Sequence, residues 1–169
     1  MLFRHLLSIA LLPFTVAVLV PYWLVRRKPL TITMGSTPVQ LLEQAAGIFL
    51  LVIGLILFVT SLRRFATEGK GTLAPWDPPR ELVVRGPYRY VRNPMISGVV
   101  LVLFGEGLVL FSAPILGWAV TFLTINFVYI PLLEEPMLSA RFGESYEEYR
   151  RNVPRLIPRL RAWQQNNQV

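Results

Sequence analysis

The sequence predicts an all-α integral membrane protein, a polytopic helical bundle of about four transmembrane helices with a cytosolic C-terminal amphipathic helix. Hydrophobic residues make up 53% of the 169 residues, and the mean hydropathy of +0.49 is high for a soluble domain of this length. The apolar residues fall into four blocks separated by basic segments, as in membrane proteins with positively charged cytosolic faces. Because the chain has room for one domain, we expect residues 1–169 to form a single membrane domain.

The first apolar block covers residues 6–25 and has the length of a transmembrane helix, which needs about 20 residues to cross the hydrocarbon layer. A cleaved signal peptide is the alternative interpretation. However, no small-residue cleavage site precedes the basic run at 26–28, and Tyr22 and Trp23 are typical of an interfacial anchor. We therefore predict a retained helix.

The second block, residues 39–62, contains Gly47 and Gly54 at a spacing that permits close contact with another helix. The connection that follows, residues 63–94, is long and rich in glycine and proline. Loops of this length inside a compact domain are usually functional or disordered. The run Glu81-Leu82-Val83-Val84 predicts an ordered segment near the end of this connection.

The third and fourth blocks, residues 95–111 and 114–133, are separated only by residues 112–113. So short a link predicts an antiparallel helical hairpin. Its open end then places residues 92–94 and the acidic pair 134–135 on the same side of the membrane, at neighbouring-helix distance.

The segment after the hairpin, residues 134–151, is predicted to form the amphipathic helix. Its apolar side chains recur at three- and four-residue spacing on one face: Leu138, Phe142, Tyr146 and Tyr149. The proline-containing stretch at 153–158 is predicted to end this helix and to continue as an extended tail.

The distribution of basic residues gives the orientation. With the N-terminus inside, all but three of the 17 lysines and arginines lie on the cytosolic side, and the exceptions are those at 26–28. This bias predicts that both termini and the charged segments are cytosolic. The absence of cysteine and of organelle signals favours a prokaryotic inner membrane.

Composition excludes several kinds of chemistry. The chain has no cysteine and one histidine, His5, so thiolate nucleophiles, zinc–thiolate sites, histidine metal clusters and a Ser-His-Asp triad cannot be built. The basic residues lie at helix ends instead of covering a soluble scaffold, which argues against nucleic-acid binding. Carboxylates, arginine, tyrosine, asparagine, backbone groups or a bound cofactor must carry any chemistry.

Arg92, before the third block, and Glu134 or Glu135, after the fourth, are natural partners at the open end of the hairpin. One interpretation is an interfacial ion pair that only anchors the hairpin. The other is a binding site, because paired acids at a helix boundary lose hydration energy unless cations or ligand donors match them. Spacing alone leaves both open.

The motifs at this end carry a resemblance. Gly-Pro-Tyr-Arg-Tyr-Val-Arg-Asn-Pro at 86–94 precedes Glu-Glu-Pro-Met-Leu at 134–138, Phe-Gly-Glu-Ser-Tyr-Glu-Glu-Tyr at 142–149 and Val-Pro-Arg at 153–155. In this order the motifs resemble the isoprenylcysteine carboxyl methyltransferase family, within a wider membrane methyltransferase superfamily that includes phospholipid methyltransferases. The match covers residues 80–158, which we expect to be the cofactor-binding and catalytic region.

The resemblance implies S-adenosyl-L-methionine-dependent methyl transfer to a lipophilic small molecule or lipid, with O-methylation of a carboxylate as the reaction it suggests. A phospholipid or amine N-methyltransferase is the alternative, as is a non-catalytic membrane protein that retains the fold. By motif, the implied catalytic candidates are Arg92, Asn93, Glu135 and Arg155. The implied cofactor contacts are Glu81, Leu82, Val83, Tyr88, Arg92, Asn93, Pro94, Met95 and Glu134.

Three positions depart from the family pattern. Asn93 and Ile96 stand where the family has histidine and tyrosine in Arg-His-Pro-x-Tyr, and Ile130 replaces the arginine that holds the prenylcysteine carboxylate in the eukaryotic enzymes. The resemblance therefore implies the cofactor more strongly than it implies prenylcysteine as acceptor.

Overall fold

The structure is a computed structural model that describes residues 10–26, 35–69 and 80–164. All regular structure in these ranges is helical, with no strand, which confirms the all-α prediction. Helix α1 begins as a π-type helix, Ala10–Leu19, and continues as Val20–Val25; the others are α2 (Pro38–Glu68), α3 (Pro94–Val109), α4 (Ala113–Tyr129), α5 (Glu135–Phe142) and α6 (Glu144–Asn152). A 3₁₀ turn, Gly86–Arg89, precedes α3, and a π-type turn, Ile130–Glu134, joins α4 to α5.

Helix α1 packs against α3 and α4. Val16 lies against the buried cluster that includes Leu103 and Ala119. Pro21 has no N–H group, so the turn before it lacks one intrahelical donor, and the indole Nε1 of Trp118 donates a hydrogen bond of 3.0 Å to the carbonyl oxygen of Val16. Residues 6–9, the start of the predicted first span, lie outside the described residues.

Helix α2 begins at a capping box, in which Gln40 N donates to Thr37 Oγ1 and Gln40 Oε1 accepts from Thr37 N, both at 3.3 Å. It continues beyond the predicted end of the apolar block at Leu62 as far as Glu68, and Gly69 follows as its C-cap. The extra turns are polar and carry an Arg64–Glu68 ion pair of 2.8 Å. Residues 70–79 of the predicted connection lie outside the described residues.

Helices α2 and α3 make the most extensive contact in the bundle, with glycine backbones at its centre. A Cβ atom added at Gly47 would lie 2.9 Å from the carbonyl oxygen of Gly105, and one added at Gly98 would lie 2.9 Å from that of Gly54. Small residues at such positions allow helix backbones to approach closely in a membrane. The predicted role of Gly47 and Gly54 in helix contact is confirmed.

Helices α3 and α4 form the predicted hairpin. The chain reverses between Leu110 and Ser112, where Phe111 takes a positive φ of 47° and Ser112 N donates to the carbonyl oxygen of Gly107 at 2.8 Å. Beyond Tyr129 the helix widens into the π-type turn, which contains Pro131 and therefore lacks one backbone donor. The wide turn sets the direction in which the acidic pair leaves the hairpin.

Two helical stretches are long and apolar enough to cross a membrane, Pro38–Glu68 and Ala113–Phe142. Shorter apolar helices occur at the other two predicted spans, Pro13–Val25 and Pro94–Val109. The structure thus agrees with a helical membrane protein, while the number of four spans stays a prediction.

The single amphipathic helix expected over 134–151 differs from what is observed, because the chain breaks at Gly143 into α5 and α6. Gly143 has φ 56° and ψ −133°, a conformation that only glycine adopts readily. The apolar face nevertheless remains together. Tyr146, Tyr149, Val153 and Trp163 form a buried cluster, and Leu82, Val84, Leu138 and Phe142 pack against it.

Candidate functional site

The segment before α3 is folded so that Tyr88 and Arg92 are buried. Gly86 has φ 58°, in the left-handed region that favours glycine, and the 3₁₀ turn follows with Pro87 near its start. Tyr88 is 6% exposed, and the Arg92 side chain is 8% exposed. A buried guanidinium requires charged or hydrogen-bonding partners.

The C-terminal tail holds this segment in place through backbone hydrogen bonds. The backbone N–H groups of Arg92 and Asn93 donate to the carbonyl oxygens of Pro154 and Arg155, at 2.8 and 3.1 Å. The Asn93 side chain also reaches the carbonyl oxygen of Arg155, at 3.5 Å. Asn93, a predicted catalytic candidate, therefore has a structural role in this arrangement, since it joins the start of α3 to the tail.

Glu135 is the centre of the ionic network at the open end of the hairpin. Its side chain is 5% exposed, and Oε1 lies 3.0 Å from Arg92 Nη1 and 2.8 Å from Arg155 Nε. Oε2 lies 3.4 Å from Arg155 Nη2 and 3.9 Å from Arg150 Nη1. Three arginines from three segments therefore meet at one carboxylate, and the ends of the hairpin lie together as the sequence predicts.

Two polar atoms at this site have no hydrogen-bond partner. Among the described residues, three buried side-chain atoms lack one: Tyr88 Oη, Arg92 Nε and, near the other end of α3, Glu106 Oε2. Leaving a buried donor unsatisfied costs about 1–3 kcal/mol. The unpaired donor of Arg92, a member of the ionic network, is a feature expected where a polar ligand binds.

The tyrosines around the network lie in a low-dielectric environment. Burial raises the pKa of Tyr146 to about 12, although the charge of Arg92, whose Nη1 lies 3.5 Å from the phenol oxygen, acts in the opposite direction. Burial also raises the pKa of Tyr88 and of Tyr149 well above the ordinary range of a phenol, and the nearby charge of Glu134 adds to the effect at Tyr88. All three phenols are therefore neutral at physiological pH.

An open cavity of about 810 Å³ lies between the C-terminal end of α2 and the segment that leads to α3. Glu81 and Leu82 line it, together with Arg64, Arg85 and Arg89. The residues of the ionic network are not part of its lining. The predicted residues at 81–82 are thus accessible to a solute, but on a surface separate from Glu135.

The structure places the sequence-predicted residues in several different settings. Arg92, Glu135 and Arg155 meet at the ionic network, and Glu134, half-buried, directly precedes Glu135. Tyr88 is buried in the segment that leads to Arg92. Val83 and Pro94 are buried packing residues. Of the other predicted site residues, Asn93 and Met95 lie at the start of α3. Glu81 and Leu82 line the cavity.

Arg150 is a member of the network that the sequence reasoning missed, and the link of Arg155 to Glu135 was also not foreseen. Arg150 lies one helical turn after Tyr146 on α6, so the same four-residue spacing that placed Tyr146 on the inner face was the available signal. The position of Arg155 depends on the path of an extended tail, for which no periodic signal exists.

The fold and the site define a helical membrane protein with a buried, arginine-rich polar site at one end of a helix hairpin. The sequence model of the phospholipid methyltransferase family matches residues 42–145, from α2 to the start of α6. The chain belongs to this family. The resemblance to the membrane methyltransferase superfamily is thereby confirmed, and a methyltransferase is the class of enzyme to which the chain is assigned.

One curated relative is a methanethiol S-methyltransferase of Crocosphaera subtropica (strain ATCC 51142 / BH68), 41% identical over 75 residues. The aligned part is 42% of this chain and 27% of the relative, so the chain spans little more than a quarter of that protein's length. No solved structure matches the chain.

Proposed function

We propose that the chain transfers a methyl group from S-adenosyl-L-methionine to a lipophilic acceptor at the site formed by Tyr88, Arg92, Glu134 and Glu135. One observation carries the proposal. Arg92 and Glu135 form a buried ion pair at the open end of the hairpin, yet Arg92 Nε and the buried Tyr88 Oη have no hydrogen-bond partner. Membership of a methyltransferase family supplies the reaction type.

The residues present fit the proposed methyl donor. Arg92 Nε is a free charged donor suited to the methionine carboxylate, and the Glu134 carboxylate suits the amino group or the ribose hydroxyls. Tyr88 Oη offers a further neutral donor. The proposal assigns the nucleoside to the cavity lined by Glu81 and Leu82, which is a surface separate from Glu135. When bound, S-adenosyl-L-methionine supplies a sulfonium methyl group that a nucleophile can attack in line.

The protein's part in such a reaction is alignment and exclusion of water. Orientation of two reactants can account for several kcal/mol of the barrier, about 7–11 in well-oriented systems. The tail contributes by fixing Arg92 and Asn93 through backbone bonds, and burial of the network reduces hydration of the charged groups. An acceptor that reacts as an anion requires no general base.

Charge and geometry at Glu135 favour an anionic nucleophile over an amine. Three arginines and two glutamates meet here, and both oxygens of Glu135 lie close to arginine nitrogens. Neither oxygen is therefore open to accept a proton from an ammonium group, the role that Glu135 would need in N-methylation. A carboxylate or a thiolate fits the excess of positive charge.

A thiol acceptor is the second candidate, because the relative named above is a methanethiol S-methyltransferase. The alignment covers about a quarter of that protein. A thiol acceptor for this chain is therefore a proposal. For a thiolate as for a carboxylate, the site must hold an ionised nucleophile near arginine. The acceptor assay described below separates them.

The proposed setting is a prokaryotic inner membrane with four spans, both termini and the site facing the cytosol. Residues 80–158 would form the cofactor-binding and catalytic part of one membrane domain. The soluble cofactor would enter from the cytosol and the lipophilic acceptor laterally from the bilayer. The basic residues near the helix ends support this orientation.

Calorimetric titration of S-adenosyl-L-methionine into the full chain in nanodiscs tests whether the protein binds this cofactor. We expect saturable binding that weakens at least about tenfold in Arg92→Ala, because loss of a charge-assisted contact costs about 1.5–3 kcal/mol. Glu134→Ala is expected to weaken it as well. Glu148→Ala, on the exposed face of α6, is the matched control. A folded wild-type chain that binds nothing at millimolar cofactor would overturn the proposal.

The acceptor is tested by transfer of radiolabelled methyl groups from the cofactor to a membrane lipid extract or to a series of alkyl thiols. A base-labile lipid product identifies a carboxyl ester, and a volatile, base-stable product identifies a thioether. A base-stable lipid amine would show that the charge argument at Glu135 is wrong.

A further inference from the structure

The tail after α6 exposes two large hydrophobic side chains to an unusual degree. Leu160 is fully exposed, and Ile157 is 81% exposed. They are the two most exposed large hydrophobic residues in the part of the chain that the structure describes. Unlike the exposed residues on α2 and α4, they do not belong to a helix that could cross a membrane.

These side chains are held outward by a fixed backbone. The backbone N–H groups of Arg159 and Trp163 donate to the carbonyl oxygens of Tyr90 and Arg89, both at 2.9 Å. The guanidinium of Arg159 also donates to the carbonyl oxygen of Asn152, at 2.6 Å. Because the tail is tied on both sides of Leu160, the exposure of this residue is a property of the fold.

The tail meets the protein at the level where α3 enters its apolar stretch. Ser97, in the first turn of α3, donates a 2.9 Å hydrogen bond from Oγ to the carbonyl oxygen of Leu156. Ile157 is the next residue along the tail. It therefore lies near the depth at which the helix leaves water, which is where apolar side chains enter the headgroup layer of a bilayer.

Basic residues flank the apolar pair. Arg151, near the end of α6, and Arg161, directly after Leu160, are both exposed, and the chain as a whole has a net charge of +7. Arginines next to inserted apolar side chains are suited to lipid phosphates, and each basic residue close to an anionic surface adds to membrane binding.

We propose that residues 156–161, the interfacial segment, lie in the headgroup layer of the bilayer that contains α3. Ile157 and Leu160 insert between lipids, and Arg151 and Arg161 contact anionic phospholipid headgroups. The same tail carries the Pro154 carbonyl and Arg155, which hold Arg92 and Glu135. The membrane surface is thereby one of the elements that position the ionic network. This inference does not depend on methyl transfer.

The natural absence of cysteine allows a direct test, because a single introduced cysteine gives a unique label. The full chain carrying Leu160→Cys is labelled with an environment-sensitive fluorophore in nanodiscs of mixed phosphatidylglycerol and phosphatidylcholine. Quenching by lipids with a nitroxide near the headgroup is measured. Glu148→Cys, exposed on α6, is the matched control, and Ile157→Cys repeats the test at the second apolar position.

We expect the labels at positions 160 and 157 to emit at shorter wavelength than the label at 148 and to be quenched several-fold more strongly. In nanodiscs of phosphatidylcholine alone, quenching at position 160 should fall. Water-like emission at both apolar positions overturns the inference. A short-wavelength emission that disappears when each disc holds one chain also overturns it, because a second copy would then cover the segment.

Discussion

The guanidinium of Arg92, just before α3, and the carboxylate of Glu135, at the start of α5, meet at the open end of the α3–α4 hairpin and lie 3.0 Å apart. Both side chains are nearly inaccessible to solvent, at 8% and 5% exposure. Such a pair contributes little net stability compared with an apolar contact of the same shape, but it is costly to break from one side. The structure of the site at this end of the hairpin therefore depends on both residues.

Replacement of Glu135 by glutamine should strongly destabilise the fold. The substitution leaves Arg92 and Arg155 without their counter-charge, and removal of one partner from a buried pair costs about 3–5 kcal/mol. Unfolding in detergent, followed by helical circular dichroism, measures the loss. The matched control is Glu68→Gln, whose partner Arg64 is 51% exposed in the same kind of charge pair. Equal losses in the two variants would contradict the buried-pair argument.

The sequence contained enough information to place this pair. The short link at residues 112–113 predicts an antiparallel hairpin, and the motifs around Arg92 and Glu135 flank its two helices in the sequence. The hairpin geometry therefore places the two charged residues on the same side of the membrane. Which of the two acids pairs with Arg92 depends on the wide turn before Glu135, which hydropathy does not reveal.

Sequence patterns do not predict the end of α2, the break at Gly143 or the path of the tail, each for a physical reason. The end of α2 was placed at Leu62, where the apolar residues stop, but backbone hydrogen bonds and the Arg64–Glu68 pair continue the helix through polar residues. The periodic apolar face over 134–151 obscured the break at Gly143, since both short helices keep that face inward. The path of the tail is set by backbone bonds to distant residues, which leave no periodic pattern.

Replacement of Gly98 by alanine should separate α2 from α3. Its Cβ would lie 2.9 Å from both the carbonyl oxygen of Gly54 and the backbone nitrogen of Phe58, and backbone cannot yield as a flexible side chain does. Overpacking of this kind costs about 1–3 kcal/mol. Thermal unfolding of the variant should show the loss. Gly117→Ala, with no atom within 4 Å of the new methyl group, should keep or slightly raise the stability.

Replacement of Gly143 by alanine tests backbone conformation without a packing change. No atom lies within 4 Å of a Cβ at Gly143, as at Gly117, so the two alanine variants differ mainly in backbone geometry. The φ of 56° at Gly143 should cost alanine about 1–3 kcal/mol. Comparison of the two unfolding curves isolates this strain. A Gly143→Ala variant as stable as Gly117→Ala would show that the α5–α6 break does not require glycine.

Replacement of Tyr88 by phenylalanine should change stability and ligand binding in opposite directions. The Tyr88 hydroxyl is buried without a partner, so its removal should leave the free energy of unfolding unchanged or raise it. If this hydroxyl contacts the methyl donor, its loss should weaken binding of S-adenosyl-L-methionine by about 0.5–1.5 kcal/mol, roughly two- to tenfold.

Tyr149→Phe provides the matched control, because the Tyr149 hydroxyl already donates a 2.7 Å hydrogen bond to the backbone carbonyl of Tyr88. That variant should lose stability, since it leaves a buried carbonyl oxygen without its donor. Thermal unfolding and calorimetric titration on both variants give the two readouts. A Tyr88→Phe protein that binds the cofactor as tightly as the wild type would remove this hydroxyl from the site. The unpaired Nε of Arg92 would then remain as the open donor for the ligand.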